Sequence, residues 1–177
     1  VEREAYRVLE LEYPSPVKTS FAPNNTVPAR YFIPDEMEAA SDPRPGVICL
    51  HILGGNFELV ELTCATLARR GIPALWLKLP FYGERRPADP EFELARNPRQ
   101  FASALRQGMA DVRRAIDLLA ARPEVDPERV NLMGISLGGI VAASAAGADE
   151  RVNRAALLLA GGDAMTIIDH APECRDL

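Results

Sequence analysis

The sequence predicts an α/β domain, a mostly parallel, doubly wound sheet with helices on both faces. Three observations predict it. Four short apolar stretches, at 46–50, 72–79, 130–133 and 152–160, read as strands. Segments of helical periodicity lie between them, so strands and helices alternate from Gly46 onward. Glycine pairs then stand where two of those strands would hand the chain to a helix.

The first two elements differ from the rest. Tyr6 to Tyr13 alternates like a half-buried strand, and Val27 to Ile33 follows after the turn-rich Pro23-Asn24-Asn25. The two are expected to pair as an antiparallel edge. After a polar stretch from Pro34 to Pro45, Gly46-Val47-Ile48-Cys49-Leu50 forms the first buried strand. His51-Ile52-Leu53-Gly54-Gly55-Asn56 follows, with Asn56 as helix N-cap and Gly71 as the stop. Phe57, Val60, Cys64, Leu67 and Ala68 fall on one face of that helix.

Ile72 to Leu79 is the next strand, bounded by Gly71 and Pro80. Phe81-Tyr82-Gly83-Glu84-Arg85-Arg86-Pro87 then opens a polar loop that runs to about Asn97, long enough to suggest a functional role. Arg85 and Arg86 read first as a solvated surface pair and second as a contact for an anionic substrate group. Asn97-Pro98 opens the clearest helix of the chain. Its stripe of Phe101, Leu105, Met109, Val112, Ile116 and Leu119 is core packing.

The turn Asp126-Pro127-Glu128-Arg129 leads into Val130 to Met133. Gly134-Ile135-Ser136-Leu137-Gly138 follows as a sharp turn, and a small-residue helix from Gly139 to Ala146 completes a strand, elbow and helix. A serine hydroxyl is a weak nucleophile that must project clear of the backbone, with N–H groups near enough to receive the charge it creates. Glycines two residues either side of Ser136 remove the Cβ atoms that would collide in such a turn. The competing reading is a glycine turn that only packs a helix against a sheet. Val152 to Ala160 is the last strand, ending in Gly161-Gly162-Asp163, and Ala164 to Ile168 could begin another helix.

At 177 residues the chain suits one domain, spanning 1–177. A net charge of −5 argues against nucleic acid as the main partner. Cys49, Cys64 and Cys174 have neither zinc-site nor disulfide spacing, and read as reduced thiols of a cytoplasmic protein. No run approaches the roughly 18 apolar residues of a membrane span, and Val-Glu-Arg-Glu has no signal-peptide form. No initiator Met is present, so the first residues are expected to be missing.

With His51-Ile52-Leu53-Gly54-Gly55, the 80–87 run Pro-Phe-Tyr-Gly-Glu-Arg-Arg-Pro, Asp126 to Val130 and Gly134 to Gly139 in this order, the chain resembles an α/β-hydrolase. More narrowly it is similar to the dienelactone hydrolase-like and peptidase-like branch. The resemblance covers roughly Tyr6 to Asp163. It implies a serine hydrolase acting on an ester, thioester or amide through an acyl-enzyme, with a small-molecule acyl substrate and no cofactor or metal. By the same resemblance Ser136 is the nucleophile and the Leu137 amide is one oxyanion donor. The second donor comes from the turn after His51, with Leu53 the best match and Gly54 the next. Ile52 stands where the family commonly has glycine.

The family order is nucleophile, acid, histidine, with the acid usually after the seventh strand and the histidine after the eighth. This chain is expected to reach only just past the sixth, with the C-terminal strands missing. His51 precedes Ser136 and fits the oxyanion turn better than the role of base. His170 follows Ser136 with no apolar strand between Asp163 and itself. Asp163 reads first as a turn residue or N-cap and second as the acid; Asp169 is a weaker match. The expectation is therefore that the chain is an excerpt whose acid and base lie beyond Leu177, with little or no turnover by itself. The alternative is a non-catalytic binding module on the same fold.

Overall fold

The structure is a computed structural model that describes residues 5–35, 43–89 and 91–161. Six strands, β1 (Tyr6–Pro14), β2 (Thr26–Pro34), β3 (Arg44–Leu50), β4 (Ala74–Leu77), β5 (Val125–Ile135) and β6 (Val152–Leu158), form one sheet in the order β1-β2-β4-β3-β5-β6. β1 pairs antiparallel with β2, and β2 antiparallel with β4; β3, β4, β5 and β6 are mutually parallel. The expected antiparallel edge and parallel body are both present. Parallel neighbours need a crossover, and three helices supply it: α1 (Phe57–Arg69), α2 (Pro98–Ala120) and α3 (Leu137–Ala148).

Because successive strand residues face opposite sides, β3 and β4 feed two cores. Ile48 and Leu50 on β3 and Leu75 and Leu77 on β4 pack toward Val112, Ile116 and Leu119 of α2 and Val141, Ala142 and Ala145 of α3. Cys49, Ala74 and Trp76 point the other way, with Phe32, onto Val60, Cys64, Ala65 and Ala68 of α1. Each large aliphatic side chain so buried stabilises the fold by about 1.5–3 kcal/mol. The helices thus cover both faces, as the alternation implied.

Three local details differ from the sequence reading. Asn97 accepts a hydrogen bond from the Gln100 N–H at 3.0 Å and caps α2, whereas Asn56 precedes α1 without any side-chain cap bond. On α2 the outer stripe residues Phe101, Leu105 and Met109 are only half-buried, while Gln107 and Asp111 are buried. β5 begins at Val125, five residues before the expected Val130: Arg44 faces Val125 and Gly46 faces Val130, so the Asp126–Arg129 turn is a bulge inside the strand. Asp126 holds that bulge by accepting from the Glu128 N–H at 2.9 Å and from Arg129 Nε at 2.5 Å.

Candidate active site

Ser136 lies between β5 and α3, at the carboxyl edge of the sheet. Its backbone has φ 52° and ψ −117°, a conformation that costs an L-residue of order 1–3 kcal/mol and persists only where the surroundings enforce it. Two hydrogen bonds do so. The Ser136 N–H donates to Leu158 O on β6 at 2.9 Å, and the Ile140 N–H donates to Ser136 O at 3.0 Å. The flanking glycines make the turn sterically feasible. A Cβ on Gly134 would strike the backbone of Gly138, and one on Gly138 would strike the carbonyls of Leu50 and His51. The side chain of Ser136 is partly exposed.

The Gly138 contact brings the start of α3 against the end of β3, where Leu50 pairs with Gly134. Leu137, the first residue of α3, carries one of the N–H groups that a helix cannot satisfy internally. After β3 the chain turns through Gly54 and Gly55, at φ 86° and 70°, and the Gly55 N–H donates to Ile52 O at 3.4 Å. Leu53 is 40 % exposed at the tip of this turn. Ser136 and Leu137 thus share a sheet edge with the turn that carries Leu53 and Gly54.

His51 has a different task. It is buried, its Nδ1 meets Ile52 O at 2.8 Å, and its Nε2 accepts from the Leu79 N–H at 3.1 Å. Accepting at Nε2 fixes the proton on Nδ1. Burial lowers its pKa to about 4, assisted by the charges of Lys78 and Arg85 and opposed by the bond to Ile52. Phe57 and Tyr82 stand edge-on to the ring at 5.1 and 4.8 Å. With both nitrogens engaged, the neutral imidazole ties the turn after β3 to the segment after β4.

Arg85 departs most from the sequence reading. It is neither solvated nor free to meet a substrate: its side chain is 0 % exposed. Nη2 donates to Asp111 Oδ2 at 2.8 Å and to Asn24 O at 2.7 Å, and Nη1 donates to Lys78 O at 2.7 Å. Ser15 Oγ donates to the other Asp111 oxygen at 2.6 Å, and Gln107 Nε2 donates to Asn24 O at 2.9 Å. Asn24 Oδ1 in turn accepts the Phe81 N–H at 3.1 Å. Burial raises the Asp111 pKa against the opposing pull of Arg85 and Ser15, and both carboxyl oxygens are engaged, one by Ser15 and the other by Arg85. Sequence reasoning missed this network. Its trace was there in Gln107 and Asp111, polar residues four apart on the inner face of α2.

The network pins the loop after β4, which holds two single 3-10 turns, Gly83–Arg85 and Leu94–Arg96. Between this loop and the turn after β3 lies a cavity of about 270 Å³, bordered by Leu53, Gly54, Phe81, Tyr82, Phe92 and Leu94. Arg86 and Glu93, both exposed, also line it. Asp163, Asp169, His170 and Cys174, and the helix expected at 164–168, lie outside the described residues. Among the described residues no cluster of His, Cys, Asp and Glu is arranged to hold a metal ion, and no helix is long and apolar enough to cross a membrane.

Comparison with known proteins adds a family and a fold. A profile of the dienelactone hydrolase family matches residues 28–169. No curated protein matches the sequence. Among solved structures, an acetyl xylan esterase from Paenibacillus sp. R4 is 23 % identical with a TM-score of 0.68, over 95 % of this chain and 53 % of that one. A hypothetical protein from Pseudomonas aeruginosa is 21 % identical with a TM-score of 0.66, over 86 % and 42 % respectively. A dienelactone hydrolase-like promiscuous phosphotriesterase from metagenomic libraries is 20 % identical with a TM-score of 0.64, over 85 % and 58 %. At these identities the likeness concerns the fold. The matches span 42 %, 53 % and 58 % of the three neighbours' own lengths.

Proposed function

The chain belongs to the dienelactone hydrolase family, and we propose that it is the nucleophile-bearing part of a serine hydrolase that cleaves an ester, thioester or amide bond through an acyl-enzyme on Ser136. The observation that carries this reading is the backbone of Ser136, a non-glycine residue held at φ 52° and ψ −117° between β5 and α3, with glycines clearing the space around it. A conformation that costs energy and lifts a hydroxyl at a sheet edge has a reason to persist if the hydroxyl reacts.

In this mechanism Ser136 Oγ attacks the carbonyl carbon, and the charge that develops on oxygen is received by the N–H groups of Leu137 and of Leu53 or Gly54. The alcohol, thiol or amine leaves, and water then releases the acyl group. The serine proton needs an acceptor. His51, the one histidine among the described residues, has both nitrogens engaged, so on this reading a histidine acceptor lies outside the described residues. The substrate is a small acyl compound, and the buried free thiols of Cys49 and Cys64 support a cytoplasmic setting.

The test is labelling of the full-length protein with a fluorophosphonate. Wild type is expected to label and Ser136→Ala is not. Equal labelling of the two removes Ser136 as nucleophile, and no labelling of either favours a binding module on the same fold.

A further inference from the structure

The cavity between the turn after β3 and the loop after β4 lies against the residues proposed above to hold the oxyanion, because Leu53 and Gly54 form part of its wall. Its other walls are aromatic and aliphatic: Phe81, Tyr82, Phe92 and Leu94. Phe81 and Phe92 meet at 5.5 Å between ring centroids, and Phe21 stacks behind Phe81 at 6.5 Å. The two charged lining residues are of opposite sign and each has a partner. Arg86 Nη2 donates to Phe92 O at 2.6 Å, and Glu93 pairs with Arg96 at 2.7 Å. Walls of this kind favour an uncharged apolar group.

The pocket is also preformed. Arg85, buried on Asp111, fastens the loop at one end, and Asn24 holds the Phe81 N–H, with Phe81 itself at φ 67°. Little ordering is left for a ligand to bring about. Volume then sets the limit. An enclosed apolar cavity of about 150 Å³ takes one benzene, so this pocket of about 270 Å³, which opens to the surface, houses a ring with a few further carbons and not the whole of a long fatty chain.

We infer that this cavity is the subsite for one organic group of the substrate: uncharged, apolar and about the size of a benzyl group, bonded to the electrophilic centre on its acyl or its alcohol side. The inference rests on the nucleophile reading of Ser136, and the experiment separates the two. Two series of p-nitrophenyl phosphonates are reacted with the full-length protein. In one, the carbon-bonded group on phosphorus runs from methyl through butyl and benzyl to decyl; in the other, phosphorus carries methyl and the alkoxy group grows through the same sizes. Ser136 Oγ bonds to phosphorus, p-nitrophenoxide leaves, and the serine proton passes to a base or to water. The readouts are p-nitrophenoxide release and the mass of the Ser136 peptide.

In one series the rate is expected to rise to benzyl and fall at decyl, by roughly tenfold on each side. Which series does so identifies the acyl or the alcohol side. Phe92 is half-buried and can be changed with little risk to the fold. Phe92→Ala should move the optimum to larger groups, and Phe92→Trp to smaller ones. Labelling of Ser136 with no size optimum in either series, or an optimum that neither variant moves, overturns the subsite and leaves the nucleophile standing. Absence of Ser136 labelling by any probe overturns both.

Discussion

The turn at Ser136 and the loop at Arg85 leave the same carboxyl edge of the sheet, one after β5 and the other after β4, yet they are held in different ways. Around Ser136 the constraint is the absence of side chains: Gly134 and Gly138 let backbones meet where no Cβ fits. Around Arg85 it is the presence of them, a guanidinium, a carboxylate, two amides and a hydroxyl drawn from four separate parts of the chain: Ser15, Asn24, Arg85 itself, and Gln107 with Asp111 on α2. The first device is local and steric. The second is long-range and electrostatic, and it closes only after tertiary folding has removed both charges from water.

Breaking the second device should have the largest effect. Asp111→Ala leaves the Arg85 guanidinium buried without its counter-ion and is expected to cost about 3–5 kcal/mol in a urea denaturation. The double replacement Arg85→Met with Asp111→Leu should recover much of that loss. If both changes together cost as much as Asp111→Ala alone, the buried charge is not the cause.

The steric device comes next. Gly138→Ala sets a Cβ against the Leu50 and His51 carbonyls, which are backbone atoms and cannot swing aside. A loss of about 3 kcal/mol is expected, together with loss of fluorophosphonate labelling at Ser136. Stability lost with full labelling would show that the elbow does not need this close approach.

His51 joins the two regions, and pH tests the joint. Its folded pKa, about 4, lies below its ordinary value of 6.5, so the folded state favours the neutral ring. The corresponding stability is fully present above pH 6.5, falls as pH drops from about 6.5 toward 4, and changes no further below that; the total is about 3 kcal/mol. His51→Gln, which keeps an acceptor for the Leu79 N–H, should lack this component when urea midpoints are compared across that range. The smallest effect is expected one residue from Arg85. Glu84 pairs with Lys78 at 2.5 Å but its side chain is 68 % exposed, so Glu84→Gln should cost less than about 1 kcal/mol.

The contrast also explains what was legible in the sequence. Gly-x-Ser-x-Gly, the apolar strand before it and the small helix after it lie within twenty residues, so the elbow and the element order could be read from spacing alone. Asn97-Pro98 announced α2 for the same reason. Arg85 could not be placed in this way. Its partner Asp111 is 26 residues away, and Asn24 is 61 residues away. In one dimension an Arg-Arg pair beside Glu84 looks like a wet surface. Likewise β5 seemed to start at Val130 because a proline-containing turn normally ends a strand, and the bulge that absorbs it depends on pairing with Arg44 and Gly46.

The hydrogen bond from the Ser136 N–H to Leu158 O has a consequence for the order in which the molecule becomes competent. The posture of the serine is held in part by β6, so a chain still lacking that strand would lose one of the two hydrogen bonds that fix it. On the reading proposed for Ser136, its geometry is complete only once that strand has docked.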